Sequence, residues 1–345
     1  MKLEAGTPRI SIIILNWNGW RDTVECLESL YHISYPNYDV ILVDNGSEDS
    51  SLELIEKYAE GRTAVKSKFF EFSEDNKPIK IWECTRDGAE SGERPGEDLL
   101  AMPPNRRLLI IKNDKNYGFA EGNNIGIRYA LRAMNPDYLL LLNNDTVVDR
   151  SFLSELVDVA EGESSIGFVG PKVFYYDSEG RSDVISVAGI NLLMKKGYYN
   201  RIGNSEIDSG QHDDIRVVDY VEGSCLLARA EVLRKIGFLN SRYFAYWEEA
   251  DLCIRGAEAG YKSICAPGSR IWHKVSASSP SSLKLYYMTR NRLWFMRAHA
   301  ERGDLASFYA YFFTSYFAGT LGRFILRKDA DKTASFIRGV IDGLR

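Results

Sequence analysis

Three polar residues, Asn143, Asn144 and Asp145, directly follow the apolar run 138–142. A run so short, with Asn-Pro upstream and polar residues downstream, predicts a strand buried on both faces. The polar triplet then lies at the carboxyl end of that strand, where open α/β sheets bind ligands. A carboxylate beside two amides suits a hard divalent cation that carries a phosphate. The stretch therefore predicts a metal and phosphate site centred on Asp145.

A second carboxylate, Asp44, follows the apolar run 38–43 in the same way. An acidic side chain at such a strand end can contact the base or ribose of a nucleotide. It can equally cap the helix that follows, and the sequence leaves both interpretations open.

A glycine-containing turn, 113–124, follows the apolar run 108–111. Gly118 and Gly122 would let the backbone approach a ligand, and the start of the next helix offers free N–H groups to a diphosphate. The turn is not G-x-G-x-x-G, so the dinucleotide fingerprint is absent. Taken alone, such a turn is more often structural than ligand-binding.

Two adjacent carboxylates, Glu248 and Glu249, stand at a predicted helix start behind an aromatic run. The helix dipole favours negative charge there, so capping alone would explain them. Asp251 and Arg255 have the spacing of an ion pair on one helix face. His273 follows Ile271-Trp272 at a strand end, where a lone histidine is more often packed than ligating.

The elements that must position these residues alternate between apolar strands and amphipathic helices. Strands are predicted at 9–15, 38–43, 108–111, 138–142 and 167–173, with polar loops and helices between them. This rhythm predicts an α/β fold with a mostly parallel central sheet flanked by helices. Right-handed connections would place the polar loops on one edge of the sheet.

Residues 61–106 interrupt the rhythm, because apolar clusters alternate there with Glu, Asp, Gly and Pro. We interpret them as an insertion with a hairpin and a mobile loop at 86–98. The insertion could overhang the site as a lid or serve as a partner surface, but a decorated surface loop is favoured.

Composition sets the outer limits. The 345 residues are 45% hydrophobic and 26% charged, which is typical of a globular protein. The net charge of −5 argues against nucleic-acid binding. Five scattered cysteines form no C-x-x-C motif, and no signal peptide is evident. We expect a cytoplasmic protein, either free or peripheral at the cytoplasmic face of the membrane.

The segment 281–345 is predicted to be an aromatic helical extension of a domain spanning 1–280. Its stretch 305–326 is mostly apolar and long enough to span a bilayer with tilt. Tyrosines and hydroxyl side chains spread polarity around it, however, and basic residues flank it. An interfacial amphipathic helix or a packed core or oligomer contact is therefore favoured over a true span.

Taken together, these motifs resemble the family-2 glycosyltransferases of the GT-A fold, and most of all their rhamnosyltransferase branch and the related galactofuranosyltransferases. The resemblance covers about 10–293 apart from the insertion, and no single motif is specific by itself. The matching stretches are 12–18, 43–47, 116–124, 142–145, 247–252 and 271–273.

The resemblance implies a role for each motif in binding a nucleotide sugar. Asp44 would bind the pyrimidine base, and Asn143, Asn144 and Asp145 would occupy the D-x-D position. The residues expected to close over base, ribose and phosphates are Asn16, Asn18, Asn45, Asn116, Gly118 and Asn123. Asp145 and His273 would hold Mg²⁺ or Mn²⁺ against the diphosphate.

The resemblance also implies the chemistry. Glu249 would be the catalytic base, and Glu248 would orient the base or the acceptor. Direct displacement by an acceptor hydroxyl would invert the anomeric centre without a covalent nucleophile. Asn143 departs from the family motif, which has Asp there, so a weaker or substrate-dependent metal requirement is expected.

The expected function is thus inverting sugar transfer to a saccharide or lipid-linked acceptor in cell-surface polysaccharide synthesis, with dTDP-L-rhamnose as the leading donor. A UDP-sugar, carrying galactofuranose or a hexose, is the alternative donor. An inert nucleotide-sugar-binding scaffold is the alternative of another class. The segment 281–345 would contact a membrane surface or a second copy of the chain.

Overall fold

A computed structural model describes residues 6–275 and 281–345. The predicted boundary between 280 and 281 borders the undescribed segment 276–280, so that boundary lies outside the described residues. Within the described ranges the strands β1 to β13 are Ile10–Asn16, Tyr38–Asp44, Lys80–Thr85, Arg107–Lys112, Tyr138–Asn143, Thr146–Val148, Ile166–Tyr175, Ile185–Val187, Ile190–Leu193, Tyr198–Arg201, Arg216–Val218, Cys225–Arg229 and Lys262–His273.

The helices of the same ranges, α1 to α12, are Trp20–Tyr31, Ser51–Ala59, Arg86–Ser91, Glu97–Leu100, Gly118–Tyr129, Phe152–Glu161, Ala230–Ile236, Glu248–Glu258, Ser281–His299, Arg302–Tyr311, Ala318–Leu326 and Ala330–Leu344. Two π-helical stretches, Ala130–Met134 and Phe312–Phe317, continue α5 and α10.

One large mixed sheet organises the fold, in the order β11-β13-β7-β12-β5-β1-β2-β4-β3. The half from β5 to β3 is parallel throughout. β12 pairs antiparallel with both β5 and β7, and β7 and β13 are again parallel. The prediction of an α/β fold with a mostly parallel sheet and a helical C-terminal region is confirmed.

The centre of the sheet is buried from solvent, and its strands carry near-continuous aliphatic side chains. Every residue of β2 is buried, and β1 and β5 are buried over nearly their whole length. Strands covered by helices on both faces need this composition. The polar residues that end these strands therefore emerge together at one edge of a rigid core.

The predicted hairpin in the segment 61–106 is wrong. β3 is the outermost strand of the main sheet and runs parallel to β4, so the segment extends the sheet instead of folding on itself. The predicted loop at 86–98 contains two short helices, α3 and α4, and Thr85 caps the first by accepting a hydrogen bond from the Gly88 N–H. The sequence did not reveal this arrangement, because the apolar runs of the segment are short and mixed with polar residues. The strand with which such a run pairs cannot be assigned from its own alternation pattern.

Three further local expectations differ from the structure. The helix α1 begins at Trp20, although the sequence favours Asp22 or Thr23 as its cap. The sequence predicts two short strands, 261–266 and 270–273, on either side of Pro267-Gly268, but one irregular strand, β13, is present, with a register shift between Ala266 and Arg270. The polar stretch 195–216, which the sequence predicts to be loop, contains β10, which pairs with β9.

The C-terminal segment forms helices packed against the domain. α9 and α12 run side by side in the same direction, because Gly339 abuts Tyr286 and Thr289 while Gly343 abuts Leu293. In the two described ranges, no helix has both the length and the apolarity needed to cross a membrane.

Candidate active site

The first part of the site is formed where β1 and β2 end side by side. The two strands are parallel and in register, so Asn16 lies opposite Asp44. The Asn16 amide donates to Oδ1 of Asp44 at 2.7 Å. Ser47 donates to the same carboxylate through its hydroxyl at 2.6 Å and its N–H at 3.0 Å. The Asp44 carboxylate is thus held in one orientation, buried at the carboxyl edge of the sheet.

A hydrogen-bond chain links this carboxylate to the polar triplet after β5. The Thr23 hydroxyl, on α1, donates to Oδ1 of the Asn16 side chain at 2.8 Å. The Asn144 amide in turn donates to the Thr23 hydroxyl at 3.0 Å. Asp44 and Asp145 are therefore positioned by one network, although 101 residues of sequence separate them. The sequence suggested Thr23 only as a possible helix cap, because its role here depends on α1 passing between the two strand ends.

The glycine-containing turn is held against the second strand end by Asn45. Its amide donates to the Asn116 side chain at 3.0 Å and to the Gly118 carbonyl at 3.1 Å. Its own carbonyl accepts from the Tyr117 N–H at 3.2 Å. Asn116 accepts from the Gly118 N–H at 2.8 Å. Asn45 and Asn116 therefore shape the turn that precedes α5.

Gly118 has a conformation and a neighbour that exclude a side chain. Its φ is +84°, and an added Cβ would lie 2.5 Å from the Phe244 ring. The Ala120 N–H also donates to the Phe244 carbonyl at 3.1 Å. The start of α5 is thereby fixed against the loop that leads into α8. This contact brings the glycine turn and the Glu248–Glu249 pair to the same region.

Two predicted nucleotide-binding residues use their side chains within the protein. The Asn18 carbonyl accepts from the Glu48 N–H at 2.9 Å, which orders the turn after Asp44. The buried Asn123 amide donates to the Phe119 carbonyl at 2.9 Å within α5. In this structure both side chains support the loops around the site.

Asp145 and His273 form a direct pair. β6 begins one residue after Asp145 and runs antiparallel to the end of β13, so Thr146 lies opposite His273. The His273 Nε2 and Asp145 Oδ1 atoms are 3.1 Å apart. Burial lowers the pKa of His273, but the hydrogen bond and charge of Asp145 outweigh it, so the pKa is raised above its usual value. A lone histidine at a strand end thus becomes part of an acidic site.

Asp145 and His273 fit a divalent cation whose remaining ligands come from a bound diphosphate and water. In the two described ranges, no cluster of three or more His, Cys, Asp and Glu side chains could hold a metal by itself. One carboxylate and one imidazole leave several positions of an octahedral cation to diphosphate oxygens and water. The His273 Nδ1 atom is buried and has no hydrogen-bond partner in the described chain, so a partner for the ring remains to be supplied.

Glu248 and Glu249 occupy the first turn of α8, as predicted. Trp247 precedes them in a left-handed conformation, with φ of +77°, and turns the chain sharply into the helix. Its indole packs against Phe295 of α9, with ring centroids 4.9 Å apart. Asn291 of α9 donates to the carbonyls of Tyr243, Ala245 and Tyr246 and fixes this loop from below.

Burial changes the acidity of this pair. It raises the pKa of Glu249 to about 7, and the nearby charge of Glu222 adds to the rise. Burial, together with the charge of Glu249, raises the pKa of Glu248 well above its usual range. The raised pKa favours the neutral form of Glu248, and a side-chain hydrogen bond links this group to Glu249. Within the described residues the Glu249 Oε2 atom accepts no hydrogen bond, which suits a base waiting for a proton.

Glu222 and Arg201, two residues to which the sequence assigned no role, lie near both Glu249 and His273. The Arg201 guanidinium donates to Glu222 at 2.6 Å, and the Ser224 hydroxyl donates to the same carboxylate at 2.9 Å. Both charges act on Glu249 and on His273. Glu222 stands in a glycine turn after an apolar stretch, which was a usable signal. Arg201 lies in β10, inside a stretch predicted as loop, and gave none.

A cavity of about 770 Å³ lies elsewhere, between the end of α1, the 61–106 segment and β13. Its lining includes Phe70, Arg106 and Trp272 but none of the predicted site residues. The segment 61–106 reaches the site region in another way, because Arg86 lies over the ring of Tyr117 at 4.3 Å. This cavity is therefore separate from the site residues described above.

Comparison with known families agrees with this geometry. Residues 96–296 match the family described as "Glycosyltransferase like family 2", and residues 11–76 match "Glycosyl transferase family 2". The low-salt glycan biosynthesis hexosyltransferase Agl10 of Haloferax volcanii is 28% identical over 148 residues, which are 43% of this chain and 46% of that protein. The N-acetylglucosaminyl-diphospho-decaprenol L-rhamnosyltransferase of Mycobacterium tuberculosis is 27% identical over 207 residues, which are 55% of this chain and 66% of that protein. The chain thus spans about half to two thirds of the length of these curated relatives.

Solved structures share the fold at low sequence identity. The mannosyltransferase PcManGT of Pyrobaculum calidifontis, solved with GDP-Man and Mn²⁺, superposes with a TM-score of 0.56 at 13% identity and covers 98% of this chain and 87% of its own. TarS of S. aureus, residues 1–349 with UDP-GlcNAc, gives a TM-score of 0.54 at 13% identity and covers 97% and 80%. The sheet and its flanking helices are those of the GT-A fold.

Proposed function

The chain belongs to glycosyltransferase family 2, and we propose that it transfers a sugar with inversion from a nucleotide diphosphate to a saccharide or lipid-linked saccharide. We infer that the donor is dTDP-L-rhamnose. The name of the mycobacterial relative, a rhamnosyltransferase acting on a diphospho-decaprenol acceptor, supports both the sugar and the lipid-linked acceptor.

One observation supports the proposal, namely that the buried carboxyl of Glu249 is linked through charged neighbours to the sheet edge that carries Asp44 and Asp145. Asp44 is linked to Asn144 through Asn16 and Thr23, and Asn144 precedes Asp145 in the chain. Asp145 pairs with His273, and the negative charge of Glu222 raises the pKa of that histidine. Glu222 in turn raises the pKa of Glu249. The nucleotide, diphosphate and acceptor would therefore be bound in that order across the edge.

The proposed reaction is a single displacement. The oxygen of an acceptor hydroxyl forms a bond to the anomeric carbon, while the bond from that carbon to the diphosphate oxygen breaks. Glu249 accepts the proton of the hydroxyl, and the nucleoside diphosphate leaves with the electron pair of the broken bond. Glu248, whose neutral form is favoured by burial, would donate a hydrogen bond that orients Glu249.

The leaving diphosphate needs its growing charge neutralised. Asp145 and His273 would hold Mg²⁺ or Mn²⁺, which supplies Lewis-acid stabilisation of the leaving group when it is bound. The N–H groups at the start of α5, behind Gly118, add the positive end of a helix dipole. Asn143 contributes no negative charge, so we expect the cation to bind much better with the donor than without it.

A panel of donors tests the proposal by ligand-induced stabilisation. The full chain is heated with dTDP-L-rhamnose, UDP-galactofuranose, UDP-GlcNAc or GDP-mannose, each with Mg²⁺, with Mn²⁺ and without metal. A ligand at one hundred times its Kd stabilises the fold by about 2.7 kcal/mol, which is readily seen as a shift in Tm. We expect the largest shift with dTDP-L-rhamnose and a divalent cation, and Asp145→Ala should remove the metal-dependent part.

The control variant is Asp183→Ala, which removes an exposed carboxylate paired with Arg181 and should leave the shift unchanged. A larger shift with UDP-galactofuranose or a UDP-hexose would replace rhamnose by that sugar. Stabilisation by a donor without any release of nucleoside diphosphate, over a panel of acceptors, would support the inert scaffold instead. No stabilisation by any nucleotide sugar would refute the proposal.

A further inference from the structure

The C-terminal segment has a charge that contrasts with the rest of the chain. Residues 281–345 contain eleven Lys and Arg against five Asp and Glu, a net charge of +6. The remaining 280 residues have a net charge of −11. Such asymmetry indicates that one part of a protein meets an anionic surface while the rest is repelled by it.

Three of the eleven cations lie at the exposed apolar end of α11 and in the turn that follows it, which together we call the apolar tip. It consists of Ile325 and Leu326, which are 59% and 85% exposed, and the exposed cations Arg323, Arg327 and Lys328. None of these three cations forms a salt bridge with another described residue. The nearby acid Asp329 is engaged by Lys332 at 2.9 Å and caps α12, whereas Asp331 is exposed and reduces the local charge.

The folding of this segment does not explain the exposed aliphatic pair. The inner face of α11 is satisfied, because Phe324 and Phe317 pack on the buried Phe336 of α12. Ile325 and Leu326 project from the same helix end in the other direction. Two large apolar side chains ringed by unpaired cations match the interface of an anionic bilayer, where apolar groups insert and cations meet headgroups.

The apolar tip lies at the end of α9 and α12 that is near the loop leading to Glu248. α9 and α12 run in the same direction, so the start of α12 lies near the start of α9. At that end of α9, the ring of Tyr287 stacks on Phe244, and Lys284 lies over Tyr246, both in the loop that leads to Glu248. A surface that receives the tip would therefore lie near the loop that leads to Glu248.

We propose that the apolar tip docks this protein on an anionic lipid surface. Ile325 and Leu326 insert at the headgroup boundary, while Arg323, Arg327 and Lys328 bind the anionic headgroups. Only the presentation of a lipid-linked acceptor rests on the proposed function. The docking itself needs no donor and no turnover, so it can be tested when the sugar transfer is unknown.

The test is sedimentation of the full chain with vesicles of phosphatidylcholine alone or of phosphatidylcholine mixed with phosphatidylglycerol. We expect binding to the anionic vesicles that weakens as salt is added. Each cation near such a surface contributes about fivefold in affinity, so the triple variant R323Q/R327Q/K328Q should bind about a hundredfold more weakly. The variant I325S/L326S should also lose binding while keeping the Tm of the parent protein, because both side chains are exposed.

A matched triple variant, K66Q/K80Q/R94Q, removes three exposed cations from the 61–106 segment and should bind as the parent does. Equal binding to neutral and anionic vesicles, or unchanged binding by both tip variants, would overturn the proposal. It would also be overturned if I325S/L326S converted an oligomer into a monomer in analytical ultracentrifugation while the parent protein failed to bind vesicles, because the tip would then contact a second copy of the chain.

Discussion

The acidity of Glu249 gives a quantitative prediction for the proposed reaction. Burial and the charge of Glu222 raise its pKa to about 7. A general base acts in its ionised form, so the rate should rise with pH as Glu249 loses its proton. About a tenth of the group is ionised one pH unit below its pKa and about nine tenths one unit above, so kcat/KM should rise about tenfold across that interval.

Two substitutions separate this effect from other titrating groups. Glu249→Gln removes the base without changing its size, and we expect kcat to fall by about 10² to 10⁴ with donor affinity retained. Glu222→Gln removes a negative charge that raises the pKa of Glu249. The rising limb of the profile should therefore move to lower pH in that variant, since the ionised form of Glu249 becomes easier to reach.

The assay is the initial rate of nucleoside diphosphate release with donor and acceptor, measured against pH at constant ionic strength. Glu258→Gln is the matched control, because Glu258 stands on the last turn of the same helix with its side chain 60% exposed. Its profile should equal that of the parent. A profile that is flat across neutral pH, or an unshifted limb in Glu222→Gln, would refute the assignment of Glu249 as the titrating base.

Two further predictions concern the framework of the site. Gly118→Ala should lower the free energy of unfolding by at least about 1–2 kcal/mol, because the backbone is left-handed there, and it should weaken donor binding through the clash with Phe244. Gly303→Ala is the control for the same thermal and binding measurements and should be neutral, because its added Cβ meets no atom within 4 Å. Asp251→Asn should lower the free energy of unfolding in urea by up to about 3 kcal/mol, because the buried carboxylate binds His299, the last residue of α9, at 2.9 Å. An unchanged urea midpoint would show that this pair does not hold α9 in place.

Much of the fold was predictable from the sequence because its signals are local. The runs that form β1, β2 and β5 are apolar on both faces, and each ends in polar residues. Those patterns predict a parallel sheet with its loops on one edge whatever the distant chain does. The ion pair of Asp251 and Arg255 was predictable for the same reason, and it is present at 2.9 Å.

The segment 61–106 shows where local signals failed. Whether a short apolar run becomes a hairpin or an edge strand depends on a partner that is distant in sequence. β3 finds that partner in β4, and the helices after it are too short to show a periodic pattern. Similarly, the Pro267-Gly268 step does not break β13, because β7 on one side keeps pairing with it across the irregularity.

Composition and spacing by themselves determined which residues have the chemistry of this site, namely carboxylates, amides, an imidazole and a glycine turn at strand ends. Only the tertiary structure decided what each one does. The antiparallel pairing of β6 with β13 brings His273 to Asp145, and burial together with the charge of Glu222 raises the pKa of Glu249. The side chains that tune or connect them, Arg201 and Thr23, come from other elements. Proton affinity and metal binding depend on distance and dielectric surroundings, and these exist only once the chain has folded.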